Sequence, residues 1–197
     1  MMKLGFLASN NGSGMRAIVS AIEAGELPAQ ARLVVSNRKA APALEFARAH
    51  AIAAMFIPTS ADPEAADARL AAALREAGAD LVILSGYLRK LGPQTLAAFE
   101  GRILNIHPAL LPRYGGQGMY GRRVHEAVVA AGERESGATV HLVDEHYDHG
   151  PVVAQARIAV DPSDDAAAVE RKVTAVEPGL FVDTLQKIAD GRLKLPA

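Results

Sequence analysis

The run Leu81-Val82-Ile83-Leu84-Ser85 is apolar and branched without interruption until a small hydroxyl closes it. A strand that faces water on one side alternates apolar and polar residues, so an unbroken run this short predicts a strand covered on both faces. Outward from it, short apolar segments at Lys3–Ala8, Arg32–Ser36, Ala54–Ile57 and Arg102–Ile106 alternate with amphipathic stretches at Met15–Ala24, Ala41–Ala49, Asp62–Ala77 and Pro93–Phe99. That alternation is the pattern of βαβ units and predicts an α/β fold, an open, mostly parallel twisted sheet with helices on both faces. After residue 121 the pattern changes. A helix is predicted at Arg122–Ala131, antiparallel strands at Ala138–Val143 and Val152–Val160, and a long final helix from Asp164 to Ala189.

At 197 residues and half apolar, the chain is sized for one domain, 1–197. Its formal net charge of −1 favours neither nucleic acid nor an anionic membrane surface as partner. The absence of cysteine removes disulfides, thiolate catalysis and thiolate metal sites together. The apolar start, Leu4-Gly5-Phe6-Leu7, is too short for a signal peptide or membrane span, which predicts a soluble cytoplasmic protein. Monomer and homodimer are both open.

The chemistry concentrates at Asn105-Ile106-His107-Pro108, where an apolar strand ends. Side chains alternate along a strand, so Asn105 and His107 share a face. Pro108 cannot continue a central ladder, and the strand is expected to stop there. An amide donor beside an imidazole suits oxyanion stabilisation and proton transfer. A polar strand end with one hydrogen-bonded His is the plainer reading. Further on, Asp144-Glu145-His146-Tyr147-Asp148-His149 could be drawn as a metal site, but its spacing matches no standard ligand motif and no metal is expected. Asp148 alone suffices to favour a charged imidazole at His107 or to anchor a proton-relaying water. His125, His141 and His146 read as surface or structural.

Two loops follow predicted strands. Ser9-Asn10-Asn11-Gly12-Ser13-Gly14 opens a helix, and successive amides with a helix N-terminus form a phosphate pocket. The same residues fit the weak dinucleotide pattern G-x-G-x-x-A, yet Ser36-Asn37-Arg38 stands where that pattern wants an acid. Gly86-Tyr87-Leu88-Arg89-Lys90-Leu91 follows the central strand, at the edge where open parallel sheets bind ligands. The irregular stretch Pro108–Gly121, rich in glycine, predicts a mobile cover over the site.

Asn105-Ile-His107-Pro-Ala-Leu-Leu-Pro112, with the later Asp148-His-Gly-Pro151, resembles the folate-dependent formyltransferases, and the likeness runs from Leu7 to the final helix. It implies their Rossmann-like fold, with a phosphate-binding half about 1–100 and a folate-binding and catalytic half about 101–197. It implies formyl transfer from 10-formyltetrahydrofolate to the amine of glycinamide ribonucleotide in purine biosynthesis. Another amine acceptor, or a dinucleotide-binding module, are the alternatives. By the same resemblance Asn105, His107 and Asp148 are catalytic; Asn11, Gly12, Ser13, Gly14 and Glu177 bind the ribonucleotide. Gly86, Tyr87, Leu88, Arg89, Lys90, Leu91, Asn105, Val143, Asp144 and Glu145 hold the folate. Glu177 lies in a helical stretch that is expected to end at Pro178, and on residues alone it reads as a solvated carboxylate. The chain departs from the family at Asn10, where glycine is usual, at His149, in a longer Arg113–Arg122 segment, and at Pro63, where some members place a basic contact to the folate tail.

Overall fold

The protein is described by a computed structural model covering residues 1–195. Strands β1 (Met2–Leu7), β2 (Ala29–Ser36), β3 (Ala53–Phe56), β4 (Leu81–Leu84) and β5 (Ile103–His107) alternate with helices α1 (Ser13–Glu23), α2 (Pro42–Ala49), α3 (Pro63–Glu76) and α4 (Pro93–Ala98). Then come α5 (Arg122–Ala130), β6 (Glu135–Leu142), β7 (Val152–Ala159) and α6 (Ala166–Ala189). One seven-stranded sheet runs in the order β3-β2-β1-β4-β5-β6-β7, across both halves of the chain. The first five strands are parallel, while β6 and β7 pair antiparallel. Among the described residues no helix is long and apolar enough to cross a membrane.

The period of two sorts the sheet's side chains between two cores. Leu4, Phe6, Leu81 and Ile83 meet Met15 and Ile18 of α1, Leu44 of α2, and Phe181 and Leu185 of α6. Leu7, Val82, Leu84 and Ile103 face the other way, onto Leu70 and Leu74 of α3 and onto Phe99. All of β4 is buried, as its unbroken apolar run predicts. A third cluster seats α5 and α6 on the antiparallel strands through Val128, Ala138, Val169 and Val173. Parallel order reverses between β1 and β4, so the carboxyl ends of β1, β4 and β5 open on one edge, where a crevice forms.

One strand outruns its sequence pattern. Strand β6 begins at Glu135 rather than Ala138, because β7 continues the ladder and pairs Ala159 with Glu135. Gly137 lets the strands cross closely; a Cβ there would collide with the Ala156 carbonyl. Helix α6 spans Ala166–Ala189, close to the expected Asp164–Ala189, and runs through Pro178, where the stretch before it, read by itself, would end. Proline removes one internal hydrogen bond, but Val169 and Val173 anchor one side and Phe181 and Leu185 the other. Packing on both flanks outweighs the local break.

Candidate active site

Strand β5 stops at His107, and its antiparallel register with β6 sets Asn105 opposite His141 and His107 opposite Thr139. This pairing builds the site. His141 is buried, and its Nδ1–H donates to the Leu142 carbonyl at 2.8 Å. A neutral ring then offers its Nε2 lone pair, which accepts from the Asn105 Nδ2–H at 3.1 Å. The Asn105 amide is thereby oriented, with its second N–H free to serve as a donor. Burial holds His141 below the ordinary histidine range, against the Leu142 hydrogen bond and the Asp148 carboxylate, which favours that neutral form.

Asp148 lies between the two rings, Oδ2 3.4 Å from His107 Nδ1 and Oδ1 3.6 Å from His141 Nε2. Its backbone is left-handed, at φ 55°, a strained conformation for a residue with a Cβ. The Gly116 N–H, from the loop after β5, donates to Oδ2 at 3.0 Å and helps fix the carboxylate. His107 is 3% exposed, and its Nε2–H donates to the Tyr114 carbonyl at 2.7 Å. Only Nδ1 is left to face Asp148. The ring can therefore exchange a proton with the carboxylate through one nitrogen while the other holds it in place.

Asn105, His141 and Asp148 open into a cleft that is also lined by Leu84, Tyr87 and Val143. Arg89, Lys90, Leu91, Asp144 and Glu145 complete the part expected from sequence. Gly86 and Leu88 do not line it. The Gly86 carbonyl instead accepts from the Ser9 amide, the Leu88 amide donates to Ser9 Oγ, and the Leu88 side chain is exposed. Tyr87 is pushed up by burial, so its hydroxyl keeps its proton. Burial alone would raise Asp144, but hydrogen bonds from His149 and the His146 amide hold it below the usual carboxylate range. His146 and His149 thus lie in an exposed loop with Asp144 and Glu145, whereas Asp148 turns inward. No three of the described His, Asp or Glu side chains gather as a metal would need.

The glycine loop lies one strand away from β4, over the end of β1. Gly12 takes φ 65° ahead of α1, where a Cβ would meet Met15, Ala8 and Ala43. Ser85 Oγ accepts the Met15 amide, which leaves the Ser13 and Gly14 amides without partners among the described residues. Asn11 and Ser13 are exposed, and the Asn11 carbonyl is held by Arg16. At the end of β2, Asn37 accepts from the Ser9 hydroxyl, a structural tie in place of a ribose-binding acid. Glu177 is half-buried, not solvated, and stands one turn before Phe181, whose ring contacts the Gly14 position. Burial raises its carboxyl to about 7, and no hydrogen bond or ion pair reaches it among the described residues.

His141, read from sequence as surface or structural, is buried and bonded to Asn105. The signal was one imidazole inside the apolar strand Ala138–Val143, on the face that an antiparallel neighbour turns toward Asn105. His125 is also buried; its Nδ1 has no partner among the described residues, and burial keeps it below the ordinary range. Neither Met119 nor Tyr120 lines the cleft; Tyr120 is exposed beneath the Arg123 guanidinium.

An oriented amide, an imidazole and a carboxylate, beside a cleft at the carboxyl edge of an open α/β sheet, are the parts of a group-transfer site for acyl-type carbon. A sequence model of the formyl transferase family matches residues 2–185, and the chain belongs to that family. It is an enzyme of the one-carbon transferase class. The chain is 38% identical over 196 residues to the chloroplastic phosphoribosylglycinamide formyltransferase of Arabidopsis thaliana, covering 98% of this chain and 67% of that one. It is 35% identical to the phosphoribosylglycinamide formyltransferase of Escherichia coli, over 98% of this chain and 90% of the relative. The crystal structure of glycinamide ribonucleotide transformylase 1 from Symbiobacterium toebii superposes with a TM-score of 0.89 at 34% identity, over 100% of this chain and 92% of that one.

Proposed function

We propose that this enzyme transfers the formyl group of 10-formyltetrahydrofolate to the primary amine of glycinamide ribonucleotide, a step of purine biosynthesis. The observation that carries the reading is the network at the end of β5, in which His141 turns the Asn105 amide and Asp148 meets His107 Nδ1 beside the cleft. The donor supplies an electrophilic formyl carbon, and amine attack there develops negative charge on its oxygen. Asn105 donates its free N–H to that oxygen, and removing one such donor typically costs ~3 kcal/mol of barrier. His107, when protonated at Nδ1, is the second donor. Asp148 stabilises that charge and carries a proton from the attacking amine toward the departing nitrogen.

Binding is divided between the two strand ends. The cleft, with Leu84, Leu91 and Val143 as apolar walls and Arg89 and Lys90 at its side, fits a flat ring with a charged tail. Backbone groups of Gly86 and Leu88 support the wall from behind. The unpartnered amides of Ser13 and Gly14, with Asn11 and Gly12, suit the ribonucleotide phosphate. Glu177 suits its sugar hydroxyls. Strands β1 and β5 are two strand spacings apart, roughly 10 Å, which lets one ribonucleotide reach from phosphate loop to reacting amine. A cytoplasmic location and small-molecule partners alone go with this reading.

The test is a formyl-transfer assay with purified protein, 10-formyltetrahydrofolate and glycinamide ribonucleotide, followed at the folate chromophore. Turnover that needs both substrates is expected. Equal turnover with another amine, or formyl-folate consumption that ignores the ribonucleotide, overturns the acceptor assignment.

A further inference from the structure

The reading of His107 as a catalytic residue raises the question of what holds its ring. The Tyr114 carbonyl that accepts its Nε2–H belongs to a loop residue at φ 57°, a left-handed backbone that a side chain disfavours. Something must keep Tyr114 there. Upstream, the loop is tied to β6 and β7. Leu111 N–H donates to Thr139 Oγ1 at 3.0 Å, Thr139 Oγ1 donates to the Ala109 carbonyl at 2.7 Å, and Gln155 Nε2 donates to the Leu111 carbonyl at 2.9 Å. Downstream, the Gly116 amide is on Asp148. Between these ties Glu133, in the turn after α5, gathers the loop. Its carboxylate accepts the Tyr114 hydroxyl at 2.7 Å and the Arg113 guanidinium through both oxygens. That guanidinium also lies 5.3 Å from the centre of the Tyr114 ring. The Glu133 side chain is 18% exposed and its bond to the Tyr114 hydroxyl is half-buried, whereas the Arg113 side chain, 63% exposed, closes the clasp from the solvent side. The other charged pair on that side, Arg157 with Glu135, closes on itself at 2.9 Å.

We propose that Glu133 is a positioning residue for His107. By clasping Arg113 and Tyr114 it holds the Tyr114 carbonyl on Nε2, so that the ring gains and loses its working proton at Nδ1, against Asp148. The segment Tyr114–Gly116 then touches both members of the proton-transfer pair, the imidazole through a carbonyl and the carboxylate through an amide. Release of the clasp frees the ring to rotate or to take the other tautomer, with its proton on the side facing Asp148.

This inference rests on the assignment of His107 in the proposed reaction, and two readouts separate them. First, ring nitrogen shifts of His107 by 15N NMR, measured without substrate, should show the neutral ring protonated at Nε2 in the unsubstituted protein and a mixture of tautomers in Glu133→Ala. Second, Glu133→Ala and Tyr114→Phe should each lower kcat about tenfold with both KM values nearly unchanged, a loss of alignment rather than of binding. Glu133→Gln keeps an acceptor oxygen and should recover most of it. In a His107→Ala background Glu133→Ala should cost nothing further. An unchanged tautomer together with unchanged kcat in both Glu133→Ala and Tyr114→Phe overturns the proposal. Should Glu133→Ala not fold, Tyr114→Phe, which deletes a single oxygen, decides alone. A fully active His107→Ala would instead overturn the reading of the reaction, while the tautomer measurement still decides what Glu133 holds.

Discussion

Asn105 and His107 share one strand face, but their roles are divided by what each is bonded to. Asn105→Ala removes a donor already aimed by His141, and His107→Ala removes the second donor of the proposed reaction. Each should lower kcat by about 10²–10³ with modest change in KM, measured by steady-state formyl transfer. Asp148→Asn should be comparably inactive while still binding a folate analogue in a fluorescence titration; retained turnover removes its proton-transfer role. His141 adds a dependence on pH. Its folded-state affinity for protons lies below that of an exposed histidine, and so does that of His125. The unfolded chain therefore binds protons more tightly at these two positions, and their contribution to folding stability should fall as pH drops through about 6.5. Thermal melts between pH 8 and pH 5 test this, and His125→Gln should flatten part of the decline. Glu177 has the opposite sign. Its carboxyl titrates near 7 when folded and lower when unfolded, so its ionisation penalises the fold progressively as pH rises through that window. Glu177→Gln should thus raise the melting temperature more at pH 8 than at pH 5, while raising KM for glycinamide ribonucleotide. A pH-independent change in melting temperature would falsify the buried-carboxylate account.

Among the elements, the segment from Pro108 to Gly121 carries the most consequence. Its first part is tied by Thr139, Gln155, Glu133 and Asp148, whereas Gly118 and Gly121 follow with left-handed φ and Tyr120 stands exposed. A glycine-rich backbone loses much entropy on ordering, so closure of this later part needs bound substrate to offset it. Amide exchange at residues 117–121 should be fast in the free protein and slower with folate analogue and ribonucleotide bound; equal rates would set the cover hypothesis aside. Exchange at Leu111 should be slow in both states, since its amide is buried on Thr139. Helix α6 shows the converse case, in which packing outweighs a local break at Pro178.

For the molecule as a whole, the proposed reaction rests on two loops that meet at the edge of one sheet. Gly12→Ala puts a Cβ on a left-handed backbone at 3.1 Å from Met15 Cε, and should cost about 1–2 kcal/mol of stability. It should also raise KM for the ribonucleotide while folate affinity, measured by titration at a temperature where the variant is folded, stays near the unsubstituted value. Loss of folate affinity alone would mean that the two ligands had been placed the wrong way round.

The order of elements, the covered strand β4, the end of β5 before Pro108 and the candidate residues Asn105, His107 and Asp148 could all be read from the chain. They depend on local periodicity, on proline and glycine chemistry, and on short motifs. The folded structure alone decided the rest. The β5–β6 register brought His141, 36 residues away in the chain, onto the Asn105 amide. Ser9 drew Gly86 and Leu88 back from the cleft wall. Glu133 reached Tyr114. Each of these turns on pairing or burial between segments far apart in sequence, and a burial energy shared by several elements leaves no trace in the local pattern of any one of them.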